Sequence, residues 1–397
     1  MSSFQKGMFT SKLPPRSMLQ ANGSNSTKRT RLGGPPQDFT PITWDHYFTE
    51  RSDVKVGDNQ FRVYKVGTTG PLLLLLHGGG CSALSWALFA KIIVELADCQ
   101  VMAMDLRGHG DSITTDDEDL SIETMTKDVV DVVLAYAPDV DAMVVMGHSM
   151  GGAVAVHVAH AAPLERAILG VVVIDVVEGT ALSALASMQC FLRSRPQSFQ
   201  SLSDAVRWSL QSGQLKNAES AKVSMPGQIK NLKTNKTGVQ ELDCSKEKGV
   251  EREGEETFLT AEKDTILEEE DAAEDGTEVK KNFKVPTSAK NYGWRVELRR
   301  SERFWPGWFA GLSKLFLSAH AQKLLLLANL DRLDTDLTVG QMQGKFEMHA
   351  FETVQGRVGH SVHEDVPDSV ARVVATFLTR NKFAQPKGDF HGQISCG

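Results

Sequence analysis

Ser149 lies in the string Gly147-His148-Ser149-Met150-Gly151-Gly152, between two apolar runs. Ala142-Met143-Val144-Val145-Met146 before it reads as a short buried strand, and Ala153 to Ala159 after it reads as a helix. A serine at such a junction, with glycine two residues to either side, has the pattern of a G-x-S-x-G nucleophile elbow. The serine must take a strained turn that pushes its Oγ outward, and a Cβ at either flanking glycine would strike the neighbouring strand or helix. The helix beyond it aims free N–H groups at the same place, where a developing oxyanion is stabilised. The alternative is a glycine-rich turn whose serine only caps the helix.

The surrounding segments follow the order that an α/β-hydrolase needs. Leu72 to Leu76 is a buried strand that runs into His77-Gly78-Gly79-Gly80, the HGGG-type loop that supplies a second oxyanion N–H in that fold. Val101 to Met104 comes next, followed by Asp105-Leu106-Arg107-Gly108-His109-Gly110. This resembles the D-x-R-G-x-G turn of that fold, and Asp105 and Arg107 read as scaffold residues. Phe346 to Phe351 looks like the last strand, and a closing helix starts near Asp368. The predicted fold is a mostly parallel central sheet with helices on both faces and a helical lid insertion.

The loop after the last strand carries Gly359-His360-Ser361-Val362-His363, where the base of a Ser, acid, His order belongs. Gly359 permits a tight turn that puts His360 at the tip, so His360 is favoured over His363. The acid stays open on spacing alone. Asp331 and Asp334 follow the strand Leu324–Ala328, whereas Asp175 ends the earlier strand Val171–Ile174.

The 397 residues suffice for one α/β domain with insertions. Apolar runs are no longer than strands, and the polar N-terminus has no signal-peptide core, so neither a membrane span nor secretion is expected. Five scattered cysteines without a CxxC pair suit free thiols in a reducing compartment, cytoplasmic or nuclear, and give no zinc site. No basic or aromatic cluster suggests nucleic acid. No metal or organic cofactor is needed, and a monomer is expected.

Composition divides the chain. Residues 1–40 read as a disordered arm, 41–177 and 291–385 as the two parts of the core, and 386–397 as a tail. Residues 178–229 read as a helical lid, because Leu182, Leu185, Met188 and Phe191-Leu192 recur at helical spacing, as do Leu202, Val206 and Leu210. Residues 230–290 read as an acidic disordered insert. Lys246 to Lys281 holds 14 acidic against 6 basic residues, which accounts for the −7 net charge of the chain.

The chain closely resembles the protein phosphatase methylesterases. The resemblance rests on LLLLHGGG, SALSWALF, GHSMGGAVAVH, IDVVEGTAL, VSMPGQIK, GWFAGLSKLFLS, KLLLLANLDRLDTDLTVGQMQGKF and GHSVHED, spread from about residue 40 to residue 385. It implies Ser149 as nucleophile, His360 as base and Asp175 as acid, with Asp331 and Asp334 left to structural roles. It also implies an oxyanion hole from Met150 and the loop Gly78, Gly79 and Gly80. The implied reaction is demethylation of the C-terminal leucine methyl ester on the catalytic subunit of type 2A protein phosphatases, the implied partner. Gly108 and Cys81 depart from the family pattern, where serine and histidine stand, and neither change removes a backbone donor. Because Asp175 stands at the root of the long insertion, the isolated chain is expected to hold the acid away from His360 until the phosphatase closes the site, with Gly179 as the flexible point.

Overall fold

The computed structural model describes residues 37–255, 291–329, 333–351 and 358–390. Its strands are β1 (Glu50–Val56), β2 (Asn59–Val66), β3 (Leu72–Leu76), β4 (Gln100–Met104), β5 (Met143–His148), β6 (Ile168–Ile174), β7 (Ser198–Phe199), β8 (Ile229–Asn231), β9 (Tyr292–Trp294), β10 (Gln322–Leu327) and β11 (Glu347–Ala350). The helices are α1 (Ala87–Leu96), α2 (Ile122–Tyr136), α3 (Met150–Val158), α4 (Glu178–Ser194), α5 (Leu202–Gln211), α6 (Ala218–Gln228), α7 (Gly238–Glu255), α8 (Trp305–Phe309), α9 (Leu312–Ser318), α10 (Thr335–Met342), α11 (Val362–Asp365) and α12 (Pro367–Arg380).

Eight strands form one sheet in the order β1-β2-β4-β3-β5-β6-β10-β11. β2 pairs antiparallel with β1 and β4, and the remaining pairs are parallel. The uninterrupted leucines of β3 follow from this placement, because a parallel sheet covered on both faces has no solvent side to alternate toward. Leu72, Leu74 and Leu76 enter one core with α2, α3 and α9. Leu73 and Leu75 enter the other with α1 and α12. Each buried leucine contributes about 1.5–3 kcal/mol.

Strand β3 lies between β4 on one side and β5 on the other, so the order of connection reverses at its end. A crevice opens outside the carboxyl ends of strands at such a point. The His77–Gly80 loop leaves β3 there, and Ser149 leaves β5 beside it.

Between β6 and β10 the chain builds the lid. Besides helices, it holds a three-stranded sheet in the order β7-β9-β8, which the helical periodicity gave no sign of. Phe199, Val206, Met225 and Ile229 form a small core of its own, edged by Trp208 and Trp294. Side-chain caps start its helices: Ser201 Oγ accepts from Asp204 N–H at 3.1 Å, and Asn217 Oδ1 from Glu219 N–H at 3.0 Å. In α4 no residue is fully buried, so this helix is the least anchored wall of the crevice.

The expected disordered insert begins too early. Residues 230–255 carry the last two residues of β8 and all of α7, and both Thr237 and Val239 are buried. Thr237 Oγ1 donates to Asp111, and Val239 packs into the α1–α12 core. The acidic composition of α7 masked this, since its carboxylates are partnered, Asp243 with Arg51 and Glu241 with Tyr292. Residues 386–390 are likewise held, with Lys387 N–H donating to Leu96 O at 2.9 Å. The rest of the acidic insert, residues 256–290, and residues 1–36 of the arm lie outside the described residues, as do 391–397.

Val239→Asp, which buries a charge with no partner, is expected to cost about 3 kcal/mol. Deleting residues 233–287 is expected to destabilise the fold as well. Chemical denaturation checks both, and unchanged midpoints would show that this segment is not part of the packed structure.

Candidate active site

At the elbow, Ser149 has φ 53° and ψ −117°, a strained conformation, and its N–H donates to Ile174 O at 3.0 Å. A Cβ on Gly147 would lie 2.0 Å from Gly151 O, and one on Gly151 would lie 2.3 Å from Leu76 O. The glycines are therefore a packing requirement, because helix, strand end and turn share one space. The Ser149 hydroxyl does not cap α3, which removes the alternative reading of the motif.

Asp175 leaves the end of β6 with φ 49°, its N–H donating to Leu326 O at 2.8 Å. Its side chain is 1% exposed. Oδ1 accepts from Ala328 N–H at 2.9 Å, and Oδ2 accepts from His360 Nδ1–H at 2.8 Å. Burial alone would raise this carboxyl, but the bonds from His360 and Ala328 outweigh it and hold the group below its usual range. With Nδ1 donating, Nε2 of His360 is the acceptor, on a ring whose side chain is 56% exposed. His360 and Ser149 line the same cavity. The acid is thus in place in the isolated chain, contrary to the expectation that it is held away. Its root is pinned too, since the Glu178 carboxylate accepts from Gly311 N–H at 2.8 Å and Ser313 N–H at 3.0 Å. The open link is the other one: among the described residues, Ser149 Oγ has no hydrogen-bond partner.

The competing candidates serve elsewhere. His363 is buried between the rings of Trp86 and His148, 4.1 and 4.7 Å away, and burial pushes it down to about 3. Asp334 is the N-cap of α10, accepting from Leu337 N–H at 2.9 Å and from Ser313 Oγ at 2.6 Å. Asp331 lies outside the described residues.

The expected oxyanion loop needs one correction. Gly80 N–H donates to His109 Nε2 at 2.9 Å, so it is committed to the fold. Among the described residues Gly79 N–H has no acceptor, and Met150 N–H opens α3. Gly78, Gly79 and Met150 all line the cavity over Ser149. The Gly78 carbonyl also holds the loop, accepting from His77 Nδ1–H at 2.8 Å. Both histidines are neutral, because burial depresses His77 strongly and His109 to about 4. They tie the loop to the turn after β4, where Leu106 N–H donates to His77 Nε2 at 3.0 Å. In that turn Asp105 accepts from Ala83 and Asp111 N–H, and Arg107 pairs with Asp128 through two nitrogens.

The cavity over Ser149 holds about 450 Å³. Met188, Phe191 and Leu192 of α4 wall one side, and Trp305, Trp308 and Phe309 another. Leu182, Leu185, Met188 and Leu192 also pack against the core, so the lid stripe both attaches the lid and faces the site. Among the described residues, no cluster of His, Cys, Asp or Glu is arranged to hold a metal ion.

Sequence reasoning missed His148. Its Nε2–H donates to the carbonyl of His360 at 2.9 Å, and a Cβ on Gly78 would lie 2.7 Å from its Nδ1. One ring thus ties the elbow, the oxyanion loop and the base. Its place beside the nucleophile was the available signal, but its partner is 212 positions away.

Comparisons with known proteins give the family and the fold. Residues 73–232 match the alpha/beta hydrolase family. The chain is 50% identical to protein phosphatase methylesterase 1 of Mus musculus and 48% identical to that of Homo sapiens, over 98% of each chain in both cases. It is 38% identical to the probable protein phosphatase methylesterase 1 of Caenorhabditis elegans, over 90% of this chain and 82% of the relative. Among solved structures, E-2-(acetamidomethylene)succinate hydrolase superposes with a TM-score of 0.57 at 15% identity, over 83% of this chain and 99% of its own. A Mycobacterium tuberculosis esterase does so with 0.52 at 18% identity, over 83% and 92%. These two support the fold alone.

Ser149→Ala and Asp175→Asn are each expected to lower kcat on a simple ester by roughly 10⁴-fold. Asp334→Ala should instead lose about 1 kcal/mol of stability with little change in kcat. Steady-state rates and melting curves separate the two patterns, and a crippled but stable Asp334→Ala beside an active Asp175→Asn would reverse the assignment. His148→Phe keeps a ring but loses the donor to His360 O, so kcat is expected to fall about tenfold through misplacement of the base. His148→Gln, which can still donate, should recover part of it; equal rates in all three proteins would remove the positioning role.

Proposed function

The chain belongs to the protein phosphatase methylesterase family, and on that premise we propose that it hydrolyses the C-terminal leucine methyl ester of a type 2A protein phosphatase catalytic subunit through an acyl-enzyme on Ser149. The observation that carries this reading is the Asp175–His360 pair beside the strained Ser149, under an apolar cavity wide enough for an aliphatic side chain.

In this mechanism His360 Nε2 takes the Ser149 proton as Oγ attacks the ester carbonyl. On this reading the carbonyl oxygen becomes an oxyanion held by Gly79 N–H and Met150 N–H, from residues that line the cavity. Collapse breaks the bond to the methoxy oxygen, and the imidazolium returns its proton so that methanol leaves. A water then gives its proton to Nε2 and attacks the acyl carbon, and Ser149 Oγ departs with that proton. The product is a free carboxylate. Asp175 stabilises the imidazolium throughout and keeps Nδ1 protonated.

The same reading assigns the last step of assembly to the partner. The acid–base pair is made in the free chain, but the Ser149 hydroxyl is not yet bonded to the ring, and the loosely anchored α4 roofs the site. A docked phosphatase that presses on α4 would supply the binding energy to align Oγ with Nε2. A misplacement of about 1 Å costs on the order of 10²-fold, so this alignment would protect other esters from the free enzyme.

The test compares an excised methylated tail peptide with the intact methylated phosphatase, following the mass of the C-terminal peptide. Demethylation of both, with kcat about 10²-fold higher on the intact protein, is expected. Equal kcat would remove partner-driven alignment, and no loss of the methyl group from either would remove the proposed substrate.

A further inference from the structure

Arg195 is the residue that follows α4, and its guanidinium enters the wall of the active-site cavity with no ion pair among the described residues. Its Cζ sits 3.3 Å from the centre of the Trp294 indole. That indole is fixed in turn by Nε1–H donating to Pro196 O at 2.7 Å. Arg195 Nε is buried and makes no hydrogen bond among the described residues. The nearby ionisable groups do not serve it: Glu297 is bound by Arg299 at 2.9 Å, and the Cys81 thiol is pushed up to about 12 by burial and stays neutral.

The position is as informative as the missing partner. A Cβ on Gly80 would come within 3.9 Å of Arg195 Nη1, so the guanidinium borders the oxyanion loop. A second cavity of about 370 Å³ continues from the first, and Leu192, Arg195 and Leu298 line both. A peptide whose C-terminal ester lies at Ser149 needs a route for its preceding residues, and this passage offers one through the guanidinium. Stacking on Trp294 orients the planar fork and leaves its edge free, the geometry that suits a carboxylate.

We propose that Arg195, held on Trp294 between the two cavities, is a carboxylate subsite that selects the peptide ester the enzyme cleaves. This rests on the peptide-ester reading above and adds to it the chemistry that recognises the chain. The carboxylate has two sources, an acidic side chain within the few residues before the ester, or the new C-terminal carboxylate of the product.

The test uses synthetic leucine methyl ester peptides with Glu or Gln at each of the three positions before the leucine, together with the free-acid form of the Gln peptides. If a side chain is the ligand, the intact enzyme should favour Glu over Gln at one position by about tenfold in kcat/KM. Arg195→Met should bring that ratio to about one, and Arg195→Lys should keep part of it. If the product is the ligand, the free acid should inhibit the intact enzyme, and its affinity for Ser149→Ala should fall about tenfold on adding Arg195→Met. Binding to Ser149→Ala measures both arms without turnover, so an inactive Arg195→Met still gives an answer. A Glu/Gln ratio near one, with free-acid affinity indifferent to Arg195, would overturn the subsite. Failure of the intact enzyme to hydrolyse any of these esters would instead count against the substrate class.

Discussion

Two backbone hydrogen bonds carry the site: Ser149 N–H to Ile174 O at 3.0 Å, and Asp175 N–H to Leu326 O at 2.8 Å. They extend the β5–β6–β10 ladder one residue past the strands, to the two places where the chain turns to positive φ. Each such conformation costs about 1–3 kcal/mol and persists only where its surroundings over-determine it. Here the surroundings are a parallel sheet buried on both faces. Ser149 and Asp175 are therefore placed by adjacent strands of the buried sheet, and His360 comes from a loop.

That loop and the oxyanion loop are secured by buried neutral histidines. His77 and His109 bind the glycine loop to the turn after β4, and His148 binds the His360 carbonyl. In His77 and His109 one ring nitrogen donates to a carbonyl and the other accepts an N–H, which fixes their tautomers. Burial lowers His109 to about 4, so the unfolded chain takes up its proton first as pH falls below about 6.5. Its contribution to stability is therefore full above that range and fades down to about pH 4. By contrast, α6 is buried against the core while α4 has no fully buried residue, so rigid chemistry lies beneath one wall that can yield.

Much of this was legible because glycine and apolar runs report backbone constraints directly. The elbow, the Leu72–Leu76 strand and the Gly-His pair at 359 and 360 each follow from local sterics and burial. The acid was not legible, since Asp175 and Asp334 both follow a buried strand, and the choice depends on which carboxylate meets a ring 185 positions from Asp175. That Gly80 N–H is committed to the fold was not legible, because its acceptor, His109, comes from another strand's turn. The early part of the insert was misread because composition averages over a segment, whereas the burial of Thr237 and Val239 and the pairing of Asp243 with Arg51 anchor it.

The central claim is that Ser149, activated by His360, is the residue that becomes acylated. Covalent labelling with a fluorophosphonate, read by peptide mass mapping, tests it most directly. A single adduct is expected on the peptide containing Ser149, formed much more slowly in His360→Ala. Labelling at another serine such as Ser361, or labelling at Ser149 that ignores the loss of His360, would contradict it.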